Sequence, residues 1–124
     1  MYQPQPRAIL VIDDEPLVAA ATRLLLEDHG YTAVQATDWR EAHALINANA
    51  FDLVISDVQT PPLDNGEIIS RIRGANPSVP IVAMSANERV RDFAIARGAN
   101  YFLTKPFRST PLLRAVTGLL DSQD

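Results

Sequence analysis

The chain has no cysteine. That excludes a disulfide framework, a thiolate metal site and a cysteine nucleophile, and it suits a reducing compartment. Long apolar runs are also missing. None approaches the roughly 20 residues that a membrane-spanning helix needs. Met1 to Arg7 lacks the apolar stretch of a secretory signal. Basic residues are outnumbered: 11 Lys and Arg stand against 15 Asp and Glu, for a net charge of −4. Direct nucleic-acid binding normally draws on a basic patch, so that class is disfavoured. Glycine is sparse, with 5 in 124 residues, and none follows the first apolar run. A glycine-rich nucleotide-binding loop is therefore absent where it would be expected. These absences leave a cytoplasmic domain that uses neither membrane nor nucleic acid.

What is present is a strict alternation of two patterns. Ala8-Ile9-Leu10-Val11-Ile12 is short, β-branched and continuous, as a strand buried on both faces should be. Further runs are Tyr31 to Ala36, Phe51 to Ser56, Val79 to Met84 and Tyr101 to Leu103. Between them apolar residues recur at helical spacing. Leu17, Val18, Ala21, Leu24 and Leu25 mark the first helix, with Pro16 in its first turn and Gly30 past its end. Asp38 and Glu41 form a capping-box-like start to the second, which carries Trp39, Ala42, Leu45 and Ile46. Ile68, Ile69 and Ile72 mark the third. Val90, Phe93, Ala94 and Arg97 mark a fourth, closed by Gly98. Leu112, Leu113, Val116, Leu119 and Leu120 mark the last, and Gly118 weakens its final turn. The spacing predicts a flexible lead-in over 1–7, one α/β domain over 8–121 and a short tail over 122–124. Alternating strands and helices imply a parallel sheet with helices on both faces.

In such sheets ligands bind beyond the carboxyl ends of the strands. Asp13 and Asp14, Asp57 and Ser85 stand directly after strands, and Lys105 follows the fifth strand by a residue. Each alone has an ordinary reading. Asp14 and Asp57 would serve as turn carboxylates, Ser85 as a helix cap and Lys105 as a surface amine. Together they form a different object. Three carboxylates brought together repel one another, and a hard cation such as Mg²⁺ relieves them. A carboxylate can take a phosphoryl group as an acyl phosphate. An ammonium and a hydroxyl can then hold the transferred oxygens. Asp13 and Asp14 suit the metal, Asp57 the phosphoryl group, Ser85 and Lys105 its grip. On this reading Mg²⁺ should raise the melting temperature.

These motifs resemble the receiver domain of two-component response regulators. They are Ile9 to Pro16, Asp52 to Asp57, Val82 to Ala86, and Gly98-Ala99 through Lys105-Pro106-Phe107, covering residues 8 to about 120. The resemblance implies a doubly wound, flavodoxin-like (βα)5 sheet with strand order 2-1-3-4-5. It implies a phosphoryl acceptor at Asp57, rather than an enzyme. The donor would be the phosphohistidine of a histidine kinase or a histidine phosphotransfer protein. Mg²⁺ would be held by Asp14, Asp57 and the backbone carbonyl of Gln59, with Asp13 acting through water. Phe102 would change rotamer as Ser85 moves, and the face of helix 4, strand 5 and helix 5 would carry the output to a downstream domain or partner. Phe102 also reads as an ordinary half-buried core aromatic. A cis peptide before Pro106 is implied as well.

The chain departs from the family pattern in three places. After Asp57 the family runs through Pro-Gly to an Asp-Gly pair; Pro61 and Asp64 match, but Pro62 replaces the first glycine and Asn65-Gly66 shifts the second. Asn100 and Tyr101 replace acidic residues, which disfavours a charge-paired dimer and leaves a monomer or a weak, phosphorylation-dependent dimer. Gln59 and Asn87 are uncharged beside the site and are positioned to tune phosphate lifetime. An aspartyl phosphohydrolase would need a second Asp where Gln59 stands. The remaining alternative is a receiver-like interaction module that works without phosphorylation. Such modules lose the acidic pair, the acceptor or the lysine, all of which are kept here.

Overall fold

Apolar runs that alternate with helices can satisfy both strand faces only inside a three-layer stack, and that is the arrangement found. The computed structural model describes residues 6–63 and 66–122. Most of the lead-in, Asp64-Asn65 of the loop after Asp57, and Gln123-Asp124 lie outside them. In chain order the elements are β1 (Ala8–Ile12), α1 (Pro16–Asp28), β2 (Thr32–Ala36), α2 (Trp39–Ala48), β3 (Leu53–Asp57), α3 (Glu67–Ala75), β4 (Ile81–Ser85), a 3₁₀ turn (Glu88–Val90), α4 (Arg91–Ala96), β5 (Tyr101–Thr104) and α5 (Ser109–Asp121). The five strands are parallel in the order β2-β1-β3-β4-β5.

Because side chains alternate along a strand, each strand feeds two cores. Ile9, Val11, Leu53, Ile55, Val82, Met84 and Leu103 pack under α1 and α5 against Leu26, Leu112 and Val116. Leu10, Ile12, Val54, Ala83 and Phe102 face the other way, against Ala42, Ile68, Ile69, Ile72 and Ala94 of α2, α3 and α4. Each buried Val, Leu, Ile, Phe or Met among them contributes about 1.5–3 kcal/mol by leaving water.

Local chemistry sets the boundaries. Pro16 opens α1, and Gly30 adopts φ 91° just past its end. β2 starts one residue later than its apolar run, because the Tyr31 N–H turns back to the Leu26 carbonyl. Asp38 caps α2 by accepting from the Glu41 N–H at 2.8 Å, and Glu41 in turn accepts from the Thr37 N–H and hydroxyl. The expected fourth helix is split. Asn87 caps a 3₁₀ turn by accepting from the Arg89 N–H, and the α-helix proper keeps six residues with Ala94 alone buried. α4 is thus the lightly anchored layer of the fold.

Gly66 starts α3 at φ 71°, and a Cβ there would come 2.5 Å from Cε1 of Phe93. Only glycine meets both the torsion and the close approach of α4. Gly118 behaves differently. α5 runs through it to Asp121, and a Cβ there would meet nothing within 4 Å. Its cost is therefore backbone entropy alone. Gly118→Ala is expected to stabilise the fold by about 1 kcal/mol, read as a higher urea midpoint at unchanged slope.

Candidate functional site

The carboxyl ends of β1, β3 and β4 converge with the loop after β5. The Asp13 N–H donates to the Ala36 carbonyl of β2 at 3.0 Å, which fixes where the chain leaves the sheet. The Asp13 side chain is fully buried. Its Oδ1 accepts from the Glu15 N–H at 2.9 Å, and its Oδ2 accepts from Nζ of Lys105 at 2.8 Å. Asp57 is the last residue of β3, is 6% exposed, and meets the same Nζ through its Oδ1 at 2.7 Å. Lys105 reaches both because its own N–H is held by the Ser85 carbonyl at 2.8 Å, across the end of β4. The Lys105–Pro106 peptide is cis, as the resemblance implies; Pro61–Pro62 is also cis, which no sequence motif announced.

Asp14 is exposed and completes the group: one carboxylate oxygen from each of Asp13, Asp14 and Asp57 lies within 4.8 Å of the others. The electrostatics follow from that crowding. Burial, then the nearby Asp13 carboxylate, push the Asp57 carboxyl up to about 8, against the pull of Lys105. Burial lowers the Lys105 ammonium, but Asp13 and Asp57 outweigh it and its pKa ends raised. One ammonium is thus shared between two acids, and a site of this kind stabilises added positive charge. The donor set is all oxygen, partly buried and open at Asp14, which fits a hard divalent cation such as Mg²⁺.

The other expected residues fall around this centre. The Ser85 hydroxyl accepts from the Asn87 N–H at 3.1 Å, so it shapes the turn after β4. Ser85 and Gln59 line one recess, while Gln59 and Asp14 line another with Pro61 and Pro62. Phe102 lies inside the core beneath α4, its ring covered by the Arg91 guanidinium at 5.7 Å. Nothing in the sequence pattern singled out Arg91 or Arg89, because exposed arginines on a short amphipathic segment look alike until the backbone is placed. Asn100 is occupied as well. Its Oδ1 accepts from the Ile81 N–H and from Arg73, which turns it toward the fold.

A flavodoxin-like sheet that gathers three carboxylates and a lysine at its switch point defines an α/β domain with an acidic pocket. The family model described as the response regulator receiver domain matches residues 9–117. The chain therefore belongs to the response regulator receiver domain family of two-component signalling. It is 36% identical over 117 residues to the response regulator MprA of Mycolicibacterium vanbaalenii, covering 93% of this chain and 51% of that protein. It is also 36% identical over 112 residues to an uncharacterized 14.6 kDa protein of Leptolyngbya boryana, covering 87% of this chain and 86% of that one. The chain spans about half the length of the first curated relatives it matches, 50% and 51%. Among solved structures, the chemotaxis response regulator CheY4 of Vibrio cholerae superposes with a TM-score of 0.85 at 28% identity, covering 93% of this chain and 99% of that one. No helix among the described residues is long and apolar enough to cross a membrane.

Proposed function

We propose that this receiver domain accepts a phosphoryl group on Asp57 from the phosphohistidine of a histidine kinase or a histidine phosphotransfer protein. The observation that carries the reading is the lysine bridge. Lys105 holds Asp57 at 2.7 Å and Asp13 at 2.8 Å, so an ammonium is already in place beside the nucleophilic carboxylate. Asp13, Asp14, Asp57 and the Gln59 backbone carbonyl would hold Mg²⁺. That ion, when bound, supplies charge neutralisation for the incoming phosphoryl oxygens. Asp57 supplies the attacking oxygen, Lys105 pairs with a phosphoryl oxygen, and the Ser85 hydroxyl donates to another once released from its turn.

An apolar groove of about 610 Å³ supports a protein donor. It runs between α1 and α5 up to Lys105, lined by Val18, Leu25, Phe107 and Leu112, and Leu17 on its rim is 86% exposed. An uncovered hydrophobic surface beside a reactive carboxylate suits transient docking of another protein. The output face would be α4, β5 and α5, where Ile95 and Tyr101 are 43% and 45% exposed. The setting is cytoplasmic, the domain is an acceptor and not a turnover catalyst, and a downstream domain or partner reads the change. The test is intact-mass spectrometry after incubation with Mg²⁺ and a small phosphodonor. One added phosphoryl group, removed by hydroxylamine as an acyl phosphate should be, is the expected result. No gain with any donor would instead favour the phosphorylation-independent module.

A further inference from the structure

One buried hydroxyl in the sheet is committed to the backbone of Asp57. Ser56 precedes Asp57 on β3 and is fully buried. Its register partners on the flanking strands are Ile12 and Ala83, both fully buried in the apolar layer against α2, α3 and α4. An alanine or a valine would suit those neighbours, so packing does not call for a polar group there. The Ser56 hydroxyl donates to the Asp57 carbonyl at 2.8 Å. That carbonyl lies past the end of β1. The Asp13 N–H turns to Ala36 of β2, and among the described residues no loop N–H reaches the Asp57 carbonyl. On the other side of the same peptide, the Val58 N–H donates to the Met84 carbonyl of β4 at 2.9 Å. The Asp57–Val58 peptide is thus held at both ends, once by a strand and once by a side chain.

We propose that Ser56 is a positioning residue: its hydroxyl fixes the plane of the Asp57–Val58 peptide, so that the Asp57 carboxylate and the Gln59 carbonyl are presented to one divalent cation. The inference rests on the reading of Asp57 as phosphoryl acceptor and metal ligand. That peptide is part of the link between the two groups, since only Val58 stands between Asp57 and Gln59. Val58 is itself buried in the core, which anchors the middle of the link. A rotation of the peptide would move the two oxygens relative to each other, and Mg²⁺ tolerates little departure from octahedral geometry. Without the hydroxyl the buried Asp57 carbonyl has no donor, and either the peptide turns or a water enters to supply one. Ser56 touches no reacting atom. It acts through the backbone of the residue that does.

The experiment measures the Mg²⁺ dissociation constant of the intact chain by isothermal titration calorimetry. Labelling of the wild type with acetyl phosphate, followed by mass spectrometry, checks the acceptor reading alongside. Ser56→Ala is expected to weaken Mg²⁺ binding by about tenfold, the size usual when a group that holds a metal ligand in place is lost. Ser56→Thr keeps the hydroxyl on a side chain that suits a strand and should restore the wild-type constant. Ile72→Val, which removes one methylene from the same core on α3, should lower the urea midpoint and leave the constant alone. An unchanged constant in Ser56→Ala overturns the positioning role. So does a failure of Ser56→Thr to restore it, or an equal loss in Ile72→Val, because the latter shows a general effect of core stability. If the wild type binds Mg²⁺ but acetyl phosphate does not label it, the acceptor reading is weakened while the Mg²⁺ comparison still decides the role of Ser56. If the wild type binds no Mg²⁺, the metal reading falls and takes this one with it.

Discussion

Asp57→Asn is expected to take up no phosphoryl group from any donor, and its metal-free fold is expected to stay stable where the wild-type fold weakens. The first effect follows from chemistry: an amide oxygen beside Lys105 is no nucleophile for phosphorus. The second follows from linkage. The Asp57 carboxyl titrates at 3.8 in an ordinary setting and at about 8 in the folded chain, chiefly through burial and the Asp13 carboxylate. Between those values the native state holds a proton that the unfolded chain has released. Stability then falls as pH rises through that window and levels off above it. A single group of this kind contributes a slope of at most about 1.4 kcal/mol per pH unit. Lys105 acts in the opposite part of the scale. Its raised pKa adds stability that is present at neutral pH and lost only at alkaline pH. Asp57→Asn removes the slope between pH 4 and 8 because its side chain has no proton to release. Urea melts at pH 5, 6, 7 and 8 would show the wild-type midpoint falling and the variant's holding. Mg²⁺ should raise the wild-type midpoint most at the upper end of the window, where Asp57 has lost its proton. A wild-type midpoint that rose from pH 5 to 8 without metal would contradict the assignment of Asp57 as the strained acid.

Arg73→Ala is expected to cost about 3 kcal/mol, near a 10 °C loss in Tm for a chain of this size. Arg73 sits in the last turn of α3 and donates to five oxygen atoms. Nη1 reaches the carbonyls of Asn76, Pro77 and Val79, the last at 2.7 Å. Nη2 reaches the Gly98 carbonyl at 2.7 Å and Asn100 Oδ1 at 2.9 Å. One side chain thereby ties the end of α3 to the entries of β4 and β5. Burial pulls its pKa down, and no carboxylate contacts it among the described residues. Removing it takes a donor from the buried Val79 carbonyl and from the half-buried Asn76 and Gly98 carbonyls, which is the expensive way to lose a hydrogen bond. Arg73→Lys should recover less than half, because an ammonium cannot span the fork. Thermal melts of the three proteins would decide it, and a shift below about 3 °C for Arg73→Ala would show the network to be dispensable.

The contrast between Asp57 and Arg73 shows what was readable in advance. The fold was legible because each strand is a short apolar run and each helix a periodic one, and these local patterns coincide with burial. Asp57 and its acidic neighbours were legible because they stand at the ends of those runs, and parallel topology brings such ends together. Lys105 was legible from position but not in its contacts: its grip on both Asp13 and Asp57 depends on a backbone bond to Ser85. Ser85 was expected at the site, yet its hydroxyl is held in the turn to Asn87.

The sequence by itself determined the strand and helix order, the two-sided core and the row of carboxylates at one edge, because all three depend on residues close in the chain. Only the tertiary structure decided which charges are shared, which are buried and which are left free. Arg73, Arg91 and Arg89 are all arginines near turns, and yet one binds carbonyls, one covers Phe102 and one faces a recess beside Asp57. Those fates depend on groups far away in sequence, and electrostatic energy is set by distance and burial, which no local pattern encodes.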